Sequence, residues 1–293
     1  LAEVRANHRL KMVLYRRFSG PVAKVPNVWN DSIAGPAGEI PIRCYMPAGK
    51  GPFPIFVYYH GGGWVLGSLD LADNFARSLC HYGNLSVISV DYRLAPEDPF
   101  PAGLEDAYAA YRWAADPANA QELRGNVNQL IVGGDSAGGN LAAAVCLKAR
   151  EEQGPAIAQQ VLMYPATNLK ELETESFQLN ANDPILPTAN MYWFIEQYLI
   201  DQSQRDDPLV SPALTENHKG LPPATIIVAE YDPLCDDGEE YANLLSEAGV
   251  DVTLIRAKGL NHGFISLREL NIQGDWYTNH FMNNVNTNLK RKL

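Results

Sequence analysis

The chain has 293 residues, of which 46% are hydrophobic and 19% charged, a balance typical of a globular protein with a sizeable core. Its 23 Lys and Arg against 34 Asp and Glu give a net charge of −11, which argues against nucleic acid or an anionic membrane as the main partner. The length alone allows one large domain or two small ones, and no stretch approaches the ~20 apolar residues that would span a bilayer.

The four cysteines, Cys44, Cys80, Cys146 and Cys235, lie far apart and form no CxxC pair. A disulfide framework would be unusual in a chain of this length, and the spacing is not that of metal ligands. We therefore expect four reduced, mostly buried thiols in a cytoplasmic protein. The first nine residues carry charges and have no apolar core, so they do not read as a signal peptide.

The first predicted element is an amphipathic helix over residues 1–18, where apolar side chains recur at three- and four-residue spacings. Residues 28–33 and 39–45, separated by Gly-Pro-Ala-Gly, predict a β-hairpin. Short apolar runs then predict six further strands, at 55–59, 85–90, 130–132, 161–164, 225–229 and 252–255. Helical stretches separate most of them, at 69–82, 103–114, 140–150 and 238–248. This alternation predicts an α/β fold, a mostly parallel sheet of about eight strands flanked by helices.

One connection is much longer than the others. About sixty residues separate Tyr164 from Thr225, whereas such a connection usually has a few residues and one helix. Its middle, 189–200, has a helical pattern and is rich in aromatic residues. The segment is either a packed structural excursion or a lid over a site. We favour the lid, because of where the motifs described next fall.

A single Gly-x-Ser-x-Gly motif is centred on Ser136, within Gly-Asp-Ser-Ala-Gly. It follows the predicted strand 129–133 and opens a helix, as a nucleophile elbow does. The flanking glycines remove the side chains that would collide in so sharp a turn. The turn would expose the serine hydroxyl at the carboxyl end of the sheet, with the positive end of a helix behind it. A glycine-rich turn with a capping serine is the alternative, and this setting disfavours it.

A second glycine-rich segment, His-Gly-Gly-Gly-Trp at 60–64, follows the strand predicted at 55–59. Three consecutive glycines let the backbone approach a ligand closely and present unobstructed N–H groups. We predict an oxyanion hole formed by the N–H groups of Gly62, Gly63 and Ala137. A phosphate loop is disfavoured because no Lys-Ser/Thr follows, and a flexible turn because both flanks are bulky.

A serine nucleophile needs a histidine base and a carboxylate that orients it, in the chain order Ser, Asp or Glu, His. Two histidines lie beyond Ser136 and before the predicted C-terminal helix. His218 lies in a polar stretch typical of a surface loop. His262 follows the last predicted strand, where a catalytic histidine of this arrangement belongs, and is the favoured base.

The favoured carboxylate is Asp232, which comes directly after the strand predicted at 225–229. Asp236 and Asp237 are nearby competitors. We expect them instead to start the next helix as capping and helix-dipole partners.

Taken together, motifs between residues 54 and 264 resemble the hormone-sensitive-lipase-like family of bacterial esterases, often called family IV. The matching segments are HGGGW at 60–64, VDYRLAPE at 90–97, FPAGLEDAY at 100–108, GDSAGGN at 134–140, AEYDPL at 229–234 and NHGF at 261–264. The resemblance implies an α/β-hydrolase fold with a triad of Ser136, Asp232 and His262 and an oxyanion hole from Gly62, Gly63 and Ala137. It also implies a cap made of the N-terminal helix and the 168–212 insertion. The chain departs from the family at Asp98, where His is usual, and at Asp237, where Glu is usual.

These observations predict a serine carboxylesterase that works through an acyl-enzyme on Ser136 and needs neither a metal nor an organic cofactor. We expect one domain over residues 1–293, with a helical cap from about 1–25 and 168–212. Bulky aromatic residues that can close a pocket favour short acyl groups, of about two to six carbons. The candidate pocket residues are Trp64, Tyr164, Tyr192, Trp193, Phe194 and Phe264.

Three alternatives stay open at this point. The same triad could serve an amidase or an acyltransferase. Some proteins of this fold family are non-catalytic small-molecule receptors, but the presence of all three triad positions disfavours that role here. A homodimer is also possible, because the last predicted strand, Val252 to Ile255, should lie at an edge of the sheet and could pair with a second copy.

Overall fold

The computed structural model describes residues 1–7, 10, 22–270 and 272–290. Within these residues one sheet contains eight strands in the order β1-β2-β4-β3-β5-β6-β7-β8. They are β1 (Asn27–Gly35), β2 (Gly38–Met46), β3 (Phe53–Tyr59), β4 (Ser86–Val90), β5 (Gly125–Asp135), β6 (Gln159–Met163), β7 (Ala224–Tyr231) and β8 (Val252–Asn261). The pairs β1–β2 and β2–β4 are antiparallel and the other neighbours are parallel. The predicted fold class is confirmed.

Helices cover both faces of the sheet. They are α1 (Leu69–Gly83), α2 (Ala102–Ala114), α3 (Pro117–Glu122), α4 (Ala137–Glu151), α5 (Glu175–Leu179), α6 (Thr188–Tyr198), α7 (Cys235–Glu247) and α8 (Ile272–Lys290). Short 3₁₀ turns occupy Gln202–Asp206, Pro212–Leu214 and Phe264–Leu270. None of the helices in the described ranges is both long and apolar enough to cross a bilayer.

Strand β3 shows why the apolar runs form buried central strands. Ile55 and Val57 point into a core shared with α2, α4 and α7, whereas Phe56 and Tyr58 point into a second core shared with α1 and α8. Successive side chains of a strand face opposite sides of the sheet, so a strand covered on both sides must be apolar at every position.

The predicted elements match the structure closely, with two informative differences. The hairpin forms as predicted, but β8 extends well beyond the apolar run at 252–255, to Asn261. This extension alternates, since Ala257 is buried while Arg256 and Lys258 are exposed, which is typical of an edge strand with one face in solvent. The predicted N-terminal helix is helical at residues 2–7 and 10, and its remainder lies outside the described residues.

The long connection between β6 and β7 contains α5, α6 and two of the 3₁₀ turns. Helix α6 buries Met191, Phe194, Ile195 and Tyr198 in the core shared with α2 and α4. The Nδ2 group of Asn140, in the first turn of α4, donates to the carbonyls of Ala166 and Val210, each at 2.8 Å. The connection is therefore tied at both ends to the helix that follows Ser136.

Candidate active site

Ser136 lies at the sharp turn between β5 and α4, with φ 56° and ψ −120°. This is a backbone conformation that a non-glycine residue rarely adopts, and the bond from its N–H to the carbonyl of Met163, 2.9 Å, helps to hold it. A side chain on Gly134 or Gly138 would overlap the carbonyl of Tyr59, at the end of the adjacent strand β3. The glycines of the motif are therefore needed for close packing against β3 as well as for the turn.

The structure brings the three predicted triad residues together at the carboxyl ends of β5, β7 and β8, which lie at one edge of the sheet. Nε2 of His262 lies 3.0 Å from Oγ of Ser136, and Nδ1 lies 2.7 Å from Oδ2 of Asp232. Asp232 is fully buried, and its other oxygen accepts the N–H of Leu234 at 2.8 Å. The carboxylate is therefore locked in place, and the imidazole is held with one nitrogen facing the serine hydroxyl.

The charge environment of His262 favours its protonated form. Burial alone would lower the pKa of the imidazole, but the charge and hydrogen bond of Asp232, with smaller contributions from Asp183 and Asp135, outweigh it and raise the pKa. A raised pKa makes the imidazole a stronger acceptor of a proton from the serine. This is the property that a general base for Ser136 requires.

The loop after β3 presents backbone N–H groups beside Ser136. Gly62 and Gly63 have φ values of 122° and 60°. The N–H groups of Gly62, Gly63 and Ala137 donate to no acceptor in the described part of the chain. A Cβ on Gly63 would lie within 3.0 Å of three ring carbons of Phe194, so the aromatic ring packs directly on the loop.

A cavity of about 560 Å³ lies over Ser136 and His262. Of the predicted pocket residues, Trp193 and Phe194 line it. Other parts of its wall come from Tyr58 of β3, from Leu71 and Ala72 of α1, and from Ile185 and Leu186 of the long connection. Ile185 also lies against Gly263, next to the catalytic histidine candidate.

Four predicted pocket residues lie outside the cavity, and these predictions are corrected. Trp64 is buried, stacks on Tyr198 at 4.5 Å and donates to Asn140. Tyr164 and Phe264 belong to the core on the α1 and α8 side, where the Tyr164 ring lies 4.8 Å from that of His262 and supports it from behind. Tyr192 does not line the cavity; its ring packs edge-on against Phe177 and its hydroxyl donates to Glu173.

Two wall residues that were not named in advance, Val4 and Asn7, lie in the helical residues 2–7, within the predicted N-terminal part of the cap. Arg5 anchors this segment through two bonds to Glu97, at 2.7 and 2.8 Å, and through further bonds to the carbonyls of Val65 and Ala95. Amphipathic spacing could predict the helix but not the surface on which it lies. The packed positions of Glu97, Val65 and Ala95, which bind Arg5, determine that.

Two secondary predictions are correct only in part. His218 does lie in an exposed loop, since Glu216, Asn217 and Lys219 are exposed, but its own side chain is buried, with its ring 5.8 Å from that of Tyr241. Helix α7 begins at Cys235, so Asp236 and Asp237 lie in its first turn, where helix-dipole partners belong, but they do not cap it. They accept the N–H groups of Ser176 and Thr167, at 2.7 and 2.8 Å, and thereby tie the long connection to α7.

Metal binding finds no support in the side-chain arrangement. Within residues 1–7, 10, 22–270 and 272–290, no three His, Cys, Asp or Glu side chains are grouped so that they could hold a metal ion. All four cysteines are buried free thiols.

Comparison with known proteins places the chain in a family. The family described as the α/β-hydrolase fold matches residues 56–266. The chain is 46% identical over 277 residues to the carboxylic ester hydrolase LipN of Mycobacterium tuberculosis, covering 93% of this chain and 73% of that protein. It is 37% identical over 232 residues to an arylesterase of Saccharolobus solfataricus, covering 78% and 73%. The structure of a hyperthermophilic esterase from Pyrobaculum calidifontis superimposes with a TM-score of 0.93 at 37% identity, covering 98% of this chain and 93% of that one. The chain therefore belongs to the hormone-sensitive-lipase-like esterases of the α/β-hydrolase superfamily and is a carboxylic ester hydrolase.

Proposed function

We propose that this esterase hydrolyses short-chain acyl esters, with Ser136 as nucleophile, His262 as general base and acid, and Asp232 as the carboxylate that orients the imidazole. The observation that carries the proposal is the hydrogen-bonded line from Ser136 through His262 to Asp232 at the floor of the cavity. All three side chains have the mutual geometry that nucleophilic acyl transfer needs.

In the acylation step, Oγ of Ser136 attacks the ester carbonyl carbon while Nε2 of His262 takes its proton. The carbonyl π electrons move onto oxygen, and the N–H groups of Gly62, Gly63 and Ala137 stabilise the oxyanion. Ala137 is the first residue of α4, so the positive end of that helix adds to the stabilisation. When the tetrahedral intermediate collapses, His262 gives its proton to the leaving alkoxide and the alcohol departs.

Water completes the cycle through the same groups. His262 removes a proton from the water as its oxygen attacks the acyl carbon, and the second oxyanion occupies the same site. Collapse breaks the bond to Oγ, the proton returns to Ser136, and the carboxylic acid leaves. Asp232 keeps its hydrogen bond to Nδ1 of His262 and stabilises the imidazolium that forms twice in each turnover.

The size and walls of the cavity support a preference for small acyl groups. A volume of about 560 Å³ must hold both the acyl and the alcohol parts of the ester. We propose one domain over residues 1–293, in which residues from about 1–25 and 168–212 form a cap. The described part of that cap already supplies Val4, Trp193 and Phe194 to the wall. Each added methylene should gain up to ~0.8 kcal/mol until the chain meets this wall.

The test of the mechanism is Ser136→Ala, with the exposed Ser203→Ala as the matched control. We expect Ser136→Ala to lose nearly all hydrolysis of p-nitrophenyl acetate, because one hydroxyl carries the covalent step, and Ser203→Ala to retain it. Substantial activity in purified Ser136→Ala would refute the assignment of the nucleophile.

The substrate proposal is tested separately. The wild-type enzyme is compared on p-nitrophenyl esters from acetate to palmitate and on the anilide of the preferred acyl group. We expect kcat/KM to reach a maximum at about two to six carbons and then to fall, and the anilide to react far more slowly. A maximum beyond about ten carbons would show that the cap leaves a long groove open. Faster cleavage of the anilide would favour an amidase.

A further inference from the structure

We propose that Asp135 is a positioning residue whose carboxylate holds the start of the Gly61–Gly63 loop, so that the loop N–H groups face the oxyanion. The inference rests on the oxyanion hole proposed above. Asp135 lies immediately before Ser136, at the last position of β5, and it contacts the loop rather than the serine.

Two hydrogen bonds join Asp135 to the neighbouring strand and loop. Its Oδ1 accepts the hydroxyl of Tyr58 at 2.6 Å and the N–H of Gly61 at 2.9 Å. The carboxylate and Tyr58 are both buried. The short bond from Tyr58 is of the length found when one partner is ionised. A single oxygen atom therefore links strand β3, the turn that carries Ser136, and the first glycine of the loop.

Steric contacts make this link stiff. A Cβ on Gly61 would lie 2.5 Å from Oδ2 of Asp135, so the second carboxylate oxygen packs against the backbone of Gly61. On the other side, the hydroxyl of Tyr92 donates to the carbonyl of His60 at 2.7 Å, and the Tyr92 and His60 rings stack at 4.5 Å. The loop is thus held just before Gly62 from two directions. Removal of Asp135 would leave the partly buried N–H of Gly61 without its acceptor.

The role lies in the acceptor oxygen rather than in the negative charge. Asp232 already holds the imidazole of His262, so a second carboxylate is not needed to orient it. A negative charge next to the forming oxyanion would oppose catalysis unless donors shield it. Burial raises the pKa of Asp135, whereas the bonds from Tyr58 and Gly61 and the nearby His60 and His262 oppose that shift. An amide oxygen at this position should therefore serve nearly as well.

The experiment compares Asp135→Ala, Asp135→Asn and the wild-type enzyme, with the exposed Asp251→Ala as control. The first readout is kcat and KM for p-nitrophenyl acetate. The second is the inhibition constant of a trifluoromethyl ketone, whose adduct with a serine carries an oxyanion. For Asp135→Ala we expect kcat to fall roughly 10- to 100-fold with KM within about 3-fold, and ketone affinity to fall in parallel. Asp135→Asn should stay within about 5-fold of wild type on both readouts, and Asp251→Ala should be unchanged.

Three results would overturn the inference. They are unchanged kcat in Asp135→Ala, a loss of kcat without loss of ketone affinity, and equal losses in Asp135→Ala and Asp135→Asn. If Asp135→Ala does not fold, the test uses Tyr58→Phe, which removes a hydrogen bond to the same carboxylate. We expect this variant to bind the trifluoromethyl ketone at least about 3-fold more weakly. Unchanged ketone affinity in Tyr58→Phe would then overturn the inference. Failure of the proposed mechanism is distinguishable, because a serine-directed phosphonate would then not label Ser136 even in the wild-type enzyme.

Discussion

The substitution Gly63→Ala should lower kcat strongly and also cost stability. Gly63 has a φ of 60°, where alanine costs ~1–2 kcal/mol. Its new Cβ would also lie within 3.0 Å of three ring carbons of Phe194, a separation that real Cβ atoms essentially never show. Phe194 is buried in α6 among the core residues of that helix, so the glycine loop must take up part of the displacement. Loss of one oxyanion donor typically lowers kcat by ~10²–10³-fold, and we expect a fall of about 100-fold.

The chain offers a matched control for the backbone strain. Gly220 has a φ of 79°, and a Cβ on it would meet nothing within 4 Å. Gly220→Ala should therefore lose about 1 kcal/mol of unfolding free energy while kcat stays unchanged. The double variant Gly63→Ala/Phe194→Ala removes the overlap, and we expect it to recover at least about 10-fold in kcat over Gly63→Ala.

The assay is kcat and KM for p-nitrophenyl acetate, normalised to the fraction of sites that a serine-directed phosphonate titrates. Thermal unfolding of each variant separates lost catalysis from lost fold. A kcat for Gly63→Ala within about 3-fold of Gly220→Ala would refute the assignment of this loop to the oxyanion. A double variant no faster than Gly63→Ala would show that the overlap with Phe194 is not the cause.

Three further predictions concern protonation and assembly. Burial disfavours the imidazolium of His262, but the nearby Asp232 outweighs this effect and raises the pKa of the imidazole. We therefore expect kcat/KM to fall on the acid side, with a midpoint above 6.5. A flat profile down to about pH 5 would contradict the role of His262 as a base. Burial raises the pKa of Asp237 to about 7 from 3.8, despite bonds from Thr167. The folded state thus keeps a proton that the unfolded state has released, and this group's contribution falls by at most ~4 kcal/mol as pH rises from about 4 to 7. The unfolding temperature of Asp237→Asn should rise relative to that of the wild type over that pH range. A difference in unfolding temperature that stays constant with pH would contradict the raised pKa. Strand β8 lies at the sheet edge with Leu254 exposed, so we expect a homodimer that Leu254→Lys weakens, and sedimentation of only the 32.3 kDa monomer at micromolar concentration would reject it.

Most of the fold could be predicted because the central strands are buried on both faces and therefore appear as continuous apolar runs. The bounds of β4 and of α2 differ from the predicted ones by a single residue. Two strands extend well beyond their predicted runs. The edge strand β8 continues where half of its positions face water, and β5 begins at Gly125, where its first residues are only partly buried. Burial, rather than intrinsic strand preference, is thus what made the strands visible.

The residues of the candidate triad could be named in advance because strand ends and chain order constrain them. Each follows a strand of a parallel sheet, and the carboxyl ends of such strands meet at one edge. The role of Asp236 and Asp237 could not be foreseen in the same way. An acidic pair in the first turn of α7 is equally consistent with a cap, and only the packed position of Thr167 and Ser176 shows that the pair ties the long connection instead.

Residues of the cavity wall were harder to predict because aromatic character alone does not say where a side chain points. Helix α6 illustrates this. Phe194 and Tyr198 are four residues apart, share one face and are buried, whereas Tyr192 is two residues from Phe194, about 200° around the helix, and hydrogen-bonds Glu173 near the surface. The helical period alone could therefore have shown that Tyr192 and Phe194 face different directions. The position of Trp64 could not be found in this way, because its ring stacks on Tyr198, more than a hundred residues away in the chain. The positioning of such a residue is a property of the packed cap and sheet together, which is why substitutions in α6 should alter activity through the glycine loop as well as through the cavity.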